Sequence, residues 1–505
     1  MVRLLNHQQQ HQSRRRRVSQ CCADTVSEYG HHRCAGNLGG EATLISSQHS
    51  QDIIMASPIL WQNTDHTVTL IDIARSIESA QGTLQQQCND HLLSVQPLEA
   101  PFPSNEPKSE GARAKLASNS VDQKLHRGYA YALNDALKQV REHYEGDWCL
   151  ARPSVQERPR VMKKRKLDHA CILTDQTLGN RTDSPVPGIV SELPEDVLQC
   201  LARPGETADH SYHLRLHRDQ TPSIDPSEAF DDNRYVANTG TTQTTLEVEQ
   251  AATGSAYHFR IPPRSSFYLG DCSDARSFRT AVRHQAYETE TRKNFDFILL
   301  DPPWPNRSVK RTHRTAGSTY ATVATLDDLR NLLLGMDLDM LMAEDCLVGM
   351  WITNRPALRE LVLGEGGVFD CWGVELTEEW VWLKTTIHGE PVTRLDALWR
   401  KPYEMLLLGR RRRASVPTPT GGEEVKRRVL ISVPDLHSRK PCLKELIEPM
   451  MPDRNDYKAL EVFARYLVAG WCSWGDECIK FNWEGYWKLG EDVADSANSI
   501  ELLPM

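Results

Sequence analysis

The sharpest chemical signal in the chain is Asp301-Pro302-Pro303-Trp304, directly after the apolar run Phe295-Asp296-Phe297-Ile298-Leu299-Leu300. Such a run predicts a buried strand. Asp301 then falls at its carboxyl end, where open α/β sheets bind their ligands. Prolines fix φ and carry no backbone N–H. The turn therefore offers carbonyl acceptors beside one carboxylate and one large aromatic face. An exocyclic aromatic amine such as that of adenine has two N–H donors and a delocalised, weakly nucleophilic lone pair. Asp301 can accept one N–H and the Pro302 carbonyl the other. Together they would hold the nitrogen against a methyl donor and stabilise the positive charge that develops on it. Trp304 can stack on the plane of the base. Strand-ending turns also favour Asp and Pro for purely structural reasons, but the whole tetrapeptide after a buried strand points to chemistry.

The elements around this motif predict an α/β fold. Apolar strand candidates are Ser266–Leu269, Phe295–Leu300, Cys346–Ile352, Glu378–Leu383, Tyr403–Leu408, Val429–Val433 and Leu460–Phe463. Helical segments lie between several of them. One is Thr325–Leu334, where Thr325 and Asp328 have capping-box spacing; another follows Pro356 and stops at Gly364. Buried strands alternating with helices imply a doubly wound, mostly parallel sheet covered on both faces. We assign this α/β domain to residues 259–485 and a C-terminal tail to 486–505.

Upstream, residues 1–52 are rich in Gln, His, Ser and Arg without a hydrophobic period and are expected to be disordered. Residues 53–172 are assigned to an N-terminal accessory α/β or helical domain, with a strand-like Val68–Ile73 and a helical Tyr129–His143. Residues 173–258 read as linker and accessory region, with a short helix at Glu195–Leu201. A basic run, Arg158-Pro159-Arg160-Val161-Met162-Lys163-Lys164-Arg165-Lys166, has the composition of a nuclear import signal or of a solvated charge run. It makes the nucleus the expected location, with the cytoplasm second.

Of the 505 residues, 39% are hydrophobic and 25% charged, with a formal net charge of -9. That balance excludes wholesale electrostatic coating of nucleic acid and leaves local basic patches to make any contact. Thirteen cysteines without a Cys-x-x-Cys pair disfavour a zinc ribbon, and Cys21, Cys22, His31, His32 and Cys34 lie in low-complexity sequence. No metal is expected. No apolar run is long enough to span a bilayer, so no membrane partner is expected either.

Beyond the tetrapeptide, a series of motifs appears in order: Ser308-Val309-Lys310-Arg311, Trp351-Ile352-Thr353-Asn354-Arg355, Glu379-Trp380-Val381-Trp382-Leu383-Lys384, Lys401-Pro402-Tyr403-Glu404, Ser432-Val433-Pro434, His437-Ser438-Arg439-Lys440-Pro441, Phe463-Ala464-Arg465 and Gly470-Trp471-Cys472-Ser473-Trp474-Gly475. Over about residues 233–482 the chain resembles the MT-A70 family of adenine amino-methyltransferases, and within it the methyltransferase-like protein four branch. The resemblance implies a Rossmann-like methyltransferase fold, a catalytic Asp301, Pro302, Pro303 and Trp304, and S-adenosylmethionine as methyl donor. It implies cofactor contacts from Asp271, Cys272, Asp301, Lys440, Phe463, Arg465, Gly475, Asp476 and Glu477. Asp476 departs from the asparagine frequent in the family; it can accept ribose hydroxyl bonds but cannot donate. Because the catalytic motif precedes much of the cofactor site, the missing Gly-x-Gly-x-x-Gly does not count against cofactor binding.

Arg307, Lys310, Arg311 and Arg314 follow the catalytic turn closely and are expected to grip phosphates flanking the target base. Asn354 and Arg355, at the end of the next strand, and the pair Trp382 and Lys384 are further substrate candidates, although Trp382 can equally be core. The expected activity is N6-methylation of adenine in RNA. The branch resemblance implies small nuclear RNA, with 2'-O-methyladenosine in U2-type RNA as target. The alternatives are the same chemistry on DNA and a non-catalytic nucleic-acid-binding subunit. Activity as a monomer is expected.

Overall fold

The computed structural model describes residues 57–83, 86–103, 109–111, 114, 123–154, 195–202, 212–217, 234–251, 254–305, 325–397, 401–412, 425–436 and 439–490. The expectations for 1–52, for the basic run 158–166 and for Arg307, Lys310, Arg311 and Arg314 lie outside these residues.

The strands, in chain order, are β1 (Ile59–Gln62), β2 (Val68–Ile71), β3 (His91–Leu92), β4 (Tyr212–His217), β5 (Tyr235–Ala237), β6 (Thr244–Gln250), β7 (Ser255–Ile261) and β8 (Ser266–Leu269). They continue with β9 (Phe295–Leu300), β10 (Met342–Ile352), β11 (Val374–Lys384), β12 (Tyr403–Arg411), β13 (Lys426–Ser432), β14 (Ala459–Val462), β15 (Trp471–Gly475) and β16 (Trp487–Lys488). Eleven of them form one sheet, in the order β1-β2-β13-β11-β12-β10-β9-β14-β15-β8-β5. The block β10-β9-β14-β15-β8 is parallel throughout, as is β11-β13-β2. Strand β12 runs antiparallel between β10 and β11. Its amino end, Tyr403-Glu404, therefore lies at the same sheet edge as the carboxyl ends of its neighbours.

Apolar clusters cover both faces. Ile298, Leu300, Val348, Met350, Leu460 and Val462 belong to one; Phe297, Leu299, Trp351, Trp380, Trp382 and Trp471 belong to the other. This is the expected fate of strands buried on both sides.

The helices obey their local signals. Helix α1 (Ile73–Ser79) is capped by Asp72, whose carboxylate accepts the Arg75 N–H. Helix α2 (Gln123–His143) buries Tyr129, Leu133, Ala136, Leu137 and Val140, the spacing of one helical face. Helix α3 is Glu195–Ala202, and α4 is Ala275–Glu288. Helix α5 (Leu326–Gly335) carries the expected capping box between Thr325 and Asp328. Helix α6 (Pro356–Leu363) begins at its proline and ends before Gly364.

The expected domain boundaries need correction. Residues 57–71 do not form a separate accessory unit, because β2 pairs in parallel with β13 and extends the central sheet. Gln81 bonds to the Leu467 carbonyl and to Asn482, so the early and late parts of the chain share one core. The region read as linker contains β4, β6 and β7, a three-stranded antiparallel sheet, and the boundary at 259 cuts β7. The supposed tail begins with β16, which pairs with β3. Strands β2, β3 and β16 are short, and their long-range partners leave no local periodicity to read.

Candidate active site

Asp301 leaves β9 at the sheet edge, its N–H reaching the Val462 carbonyl of β14 at 3.4 Å. The turn folds back on itself, with the Trp304 N–H donating to the Pro302 carbonyl at 2.8 Å. That carbonyl keeps one lone pair for a further donor. Trp304 is not a free aromatic face: its indole Nε1–H donates to the Trp351 carbonyl at 2.9 Å, and one side packs on the core.

A chain of alternating charges runs from Asp301. Lys440 Nζ lies 3.0 Å and 2.9 Å from its two carboxylate oxygens. The same ammonium is 3.4 Å from Glu404 Oε2, and Glu404 also pairs with Lys384. Burial alone would raise the Glu404 carboxyl, but the two lysines hold it down at about 2. Burial pulls Lys440 down, yet Asp301 and Glu404 outweigh it and raise its pKa above the ordinary lysine value. Lys384 also lies 4.5 Å over the ring of Trp382.

Lys440 is placed by its neighbour. Arg439 is buried and ion-paired to Asp435 at 2.7 Å, donates to the Leu93 carbonyl, and stacks on Phe481. Residues from the early part of the chain thus set the position of the site lysine.

On the other side of Asp301, the ends of β8, β14 and β15 converge. The Gly270 N–H donates to the Gly475 carbonyl at 3.3 Å, joining two of these ends. Phe463 has φ 61°, a conformation uncommon for an aromatic residue and found where a backbone is held for function. Cys272 is buried, and its thiol is pushed well up by burial and by the charge of Asp476. It is a neutral packing group. Arg465 and Lys480 both pair with Glu477, at 3.4 Å and 2.8 Å. The predicted set Asp271, Cys272, Phe463, Arg465, Gly475, Asp476 and Glu477 is therefore clustered at one edge. Its donor chemistry suits a zwitterionic nucleoside: carboxylates for hydroxyls and an ammonium, and Lys440 for a carboxylate.

Among the substrate candidates, Lys384, Asn354 and Arg355 lie at this edge. Trp382 does not act there: it is 2% exposed and donates Nε1–H to Ser432 at 2.7 Å, which makes it core. Both faces of β11 are covered at this point, Trp382 lying in the second apolar cluster beneath Lys384. Two acidic residues escaped the assignment from sequence. Glu404 belongs to a quoted motif without a role. Glu461 is the lone charge in the apolar strand Ala459-Leu460-Glu461-Val462, and that isolation was the available signal. Its carboxyl is buried, Oε2 has no hydrogen-bond partner, and burial together with Asp301 raises its pKa to about 8.

The described residues hold no group of three or more His, Cys, Asp or Glu able to bind a metal ion, and no helix long and apolar enough to cross a membrane.

A nucleoside-type ligand on the β8–β14–β15 side and an amine on the β10–β12 side would meet at Asp301, so fold and site define a Rossmann-like methyltransferase. The family model for MT-A70 matches residues 295–477. The N6-methyladenosine RNA methyltransferase MTA1 of Pyricularia oryzae is 31% identical over 461 residues, covering 86% of this chain and 98% of that protein. Human N(6)-adenine-specific methyltransferase METTL4 is 36% identical over 234 residues, 45% of this chain and 44% of its own. A DNA N6-methyl methyltransferase of Caenorhabditis elegans is 33% identical over 221 residues, 43% of this chain and 53% of its own. The chain belongs to the MT-A70 family and is an S-adenosylmethionine-dependent adenine N6-methyltransferase.

Proposed function

We propose that the substrate is adenosine in RNA and that Asp301 is the catalytic carboxylate. The observation that carries the assignment is Asp301 itself, fixed at a central strand end by Lys440 beside a turn of two prolines. The cofactor supplies an electrophilic methyl group. Asp301 accepts one N–H of the adenine amine, and the free lone pair of the Pro302 carbonyl accepts the other. Both interactions strengthen as the nitrogen gains positive charge, so they favour the transition state over the bound substrate. The proton leaves after methyl transfer, when the amine has become acidic, so a strong base is not required. Lys440 takes the cofactor carboxylate while holding Asp301 in place. Asp271, Asp476, Glu477 and Arg465 hold the adenosine part, with Cys272, Phe463 and Gly475 shaping its pocket. Trp304, anchored by its indole N–H, presents its remaining face to the base. Lys384, Asn354 and Arg355 contact the substrate, and Arg307, Lys310, Arg311 and Arg314 grip the phosphates beside it.

RNA is favoured over DNA because the relative matched along nearly its whole length is named as an RNA enzyme. The narrower target is 2'-O-methyladenosine in a U2-type small nuclear RNA, the enzyme acts as a monomer, and it resides in the nucleus through the run Arg158–Lys166. Incubation with labelled S-adenosylmethionine and matched oligonucleotides tests the substrate. RNA should be methylated, most strongly the 2'-O-methylated target. Equal or faster methylation of the DNA counterpart overturns the RNA assignment.

A further inference from the structure

A cavity of about 350 Å³ opens beside the catalytic turn, between α2 and the residues that follow β10. Neither Asp301, Lys440 nor Glu404 lines it, so it is separate from the place where the amine reacts. Its walls combine apolar and aromatic groups from Tyr129, Ile352 and Met405 with the charged Arg359 and Glu360, and His126 lies at one side. His126 Nδ1 is hydrogen-bonded to the Tyr403 hydroxyl at 2.9 Å, which fixes the ring plane. One polar group in this wall is unspent. Asn354 donates through Nδ2 to the Tyr403 carbonyl, but its Oδ1 is buried with no partner. A buried amide oxygen without a donor costs stability unless a ligand supplies one. At the rim, the exposed Arg355 reaches the Pro305 carbonyl at 2.5 Å and so ties the cavity to the catalytic turn.

An aromatic and apolar slot edged by Arg359 and Glu360, a waiting acceptor on Asn354 and a cation at the mouth match a planar base that carries an N–H edge and a phosphate. The geometry points to a subsite for the nucleobase next to the target adenine in the RNA strand. The inference rests on the nucleic-acid reading above. The base lies against His126 and Met405, gives an N–H to Asn354 Oδ1, and has its phosphate near Arg355. Sequence context is then read by the cavity, while the modified base is read at Asp301. This assigns a purpose to α2 that the motifs of the catalytic region do not reveal.

The test is a mutant-by-substrate cycle with the full chain and short single-stranded RNAs containing one target adenosine. One RNA is intact, and two others carry an abasic residue on the 5' or the 3' side of the target. Wild-type kcat/KM should fall about tenfold or more on one abasic substrate, in keeping with the worth of a stacked base. His126→Ala should lose a similar factor on intact RNA and nothing further on that abasic RNA. Asn354→Ala, with a melting curve on both variants, should behave alike and guards against a folding defect in the first. Indifference of wild type to both abasic sites, or losses that multiply in the cycle, overturns the subsite. Failure to methylate any adenine oligonucleotide overturns the function itself and is distinguished by the intact control.

Discussion

The two flanks of β9 handle buried polarity in opposite ways. Toward β10, β12 and β11, charges are paired: Asp301 with Lys440, Lys440 with Glu404, Glu404 with Lys384, and deeper in, Glu379 with Arg359 and Arg427. Toward β14 and β15, the buried polar groups are neutral or solitary. Glu461 Oε2, Ser473 Oγ and Trp474 Nε1 have no partners, and Cys272, Cys472 and Cys478 are buried thiols. Glu461 and Ser473 face each other in register across the two strands. The paired flank can hold ionised groups against a polar base and transmit a charge change through lysines. The interior of the solitary flank, around Glu461 and Ser473, has no partner for a new charge, and its ion pairs, Arg465 and Lys480 with Glu477, stand at the edge that meets the ligand. One side is built to recognise a substrate electrostatically, the other to enclose a donor.

The largest expected effect comes from removing the residue where the flanks meet. Asp301→Ala should lower kcat about 10³-fold or more while the protein stays folded, because charge-assisted contacts in the transition state are worth several kcal/mol. Wild-type turnover by the folded variant would remove Asp301 from the chemistry. Trp304→Ala should weaken RNA binding by about 1–3 kcal/mol, the value of one stacked base, with cofactor affinity little changed. Its anchor to the Trp351 carbonyl adds a modest loss in melting temperature. Calorimetry showing cofactor binding lost and RNA binding kept would transfer Trp304 to the other flank.

Much of this was legible in the sequence, for physical reasons. The catalytic turn, β8, β9 and the capping box of α5 are specified by neighbouring residues, so local reading found them. β10 to β12 were found short of their observed ends, and β13 was found starting late and running past Ser432, because their outer residues carry Arg, Lys, Glu and Thr. Trp382 was ambiguous because a tryptophan serves a core and a ligand equally well, and only the packing of a sheet covered on both faces decides. β15 was seen as a motif and not as a strand, since Trp471-Cys472-Ser473-Trp474-Gly475 mixes small, polar and aromatic residues. The role of the early chain was illegible. Leu93, Arg152 and Gln81 act through partners hundreds of residues away, such as Arg439, Asp435 and Leu467, and such pairings leave no spacing to detect.

The two flanks should also fail at opposite ends of the pH scale. Glu404 is held at about 2 against an ordinary 4.5, so its pairing adds stability above the ordinary value and loses it as pH falls toward 2. Glu404→Gln should flatten that acid limb, by about 2 kcal/mol in unfolding free energy between pH 5 and pH 2.

Glu461 works the other way and gives the finest test. Its pKa of about 8 lies above the ordinary 4.5, so the folded state binds the proton more tightly than the unfolded chain. The neutral carboxyl is tolerated below about pH 4.5, and stability drains away as pH rises through 8, when the folded protein must ionise beside Asp301. The groups facing it are Asp301 and Lys440, and they act in opposite senses: Asp301 raises the value and Lys440 lowers it, with burial the largest cause. Glu461→Gln keeps the shape and removes the titration. Melting curves from pH 5 to pH 9 should then show a shallower alkaline decline than wild type, a difference of roughly a few kcal/mol at most. At pH 5, where Glu461 is protonated in the folded protein, the two should melt close together. If the variant instead declines as steeply as wild type, Glu461 is ionised throughout and paired with Lys440. The second flank would then be held by charge like the first, and the contrast between them would collapse.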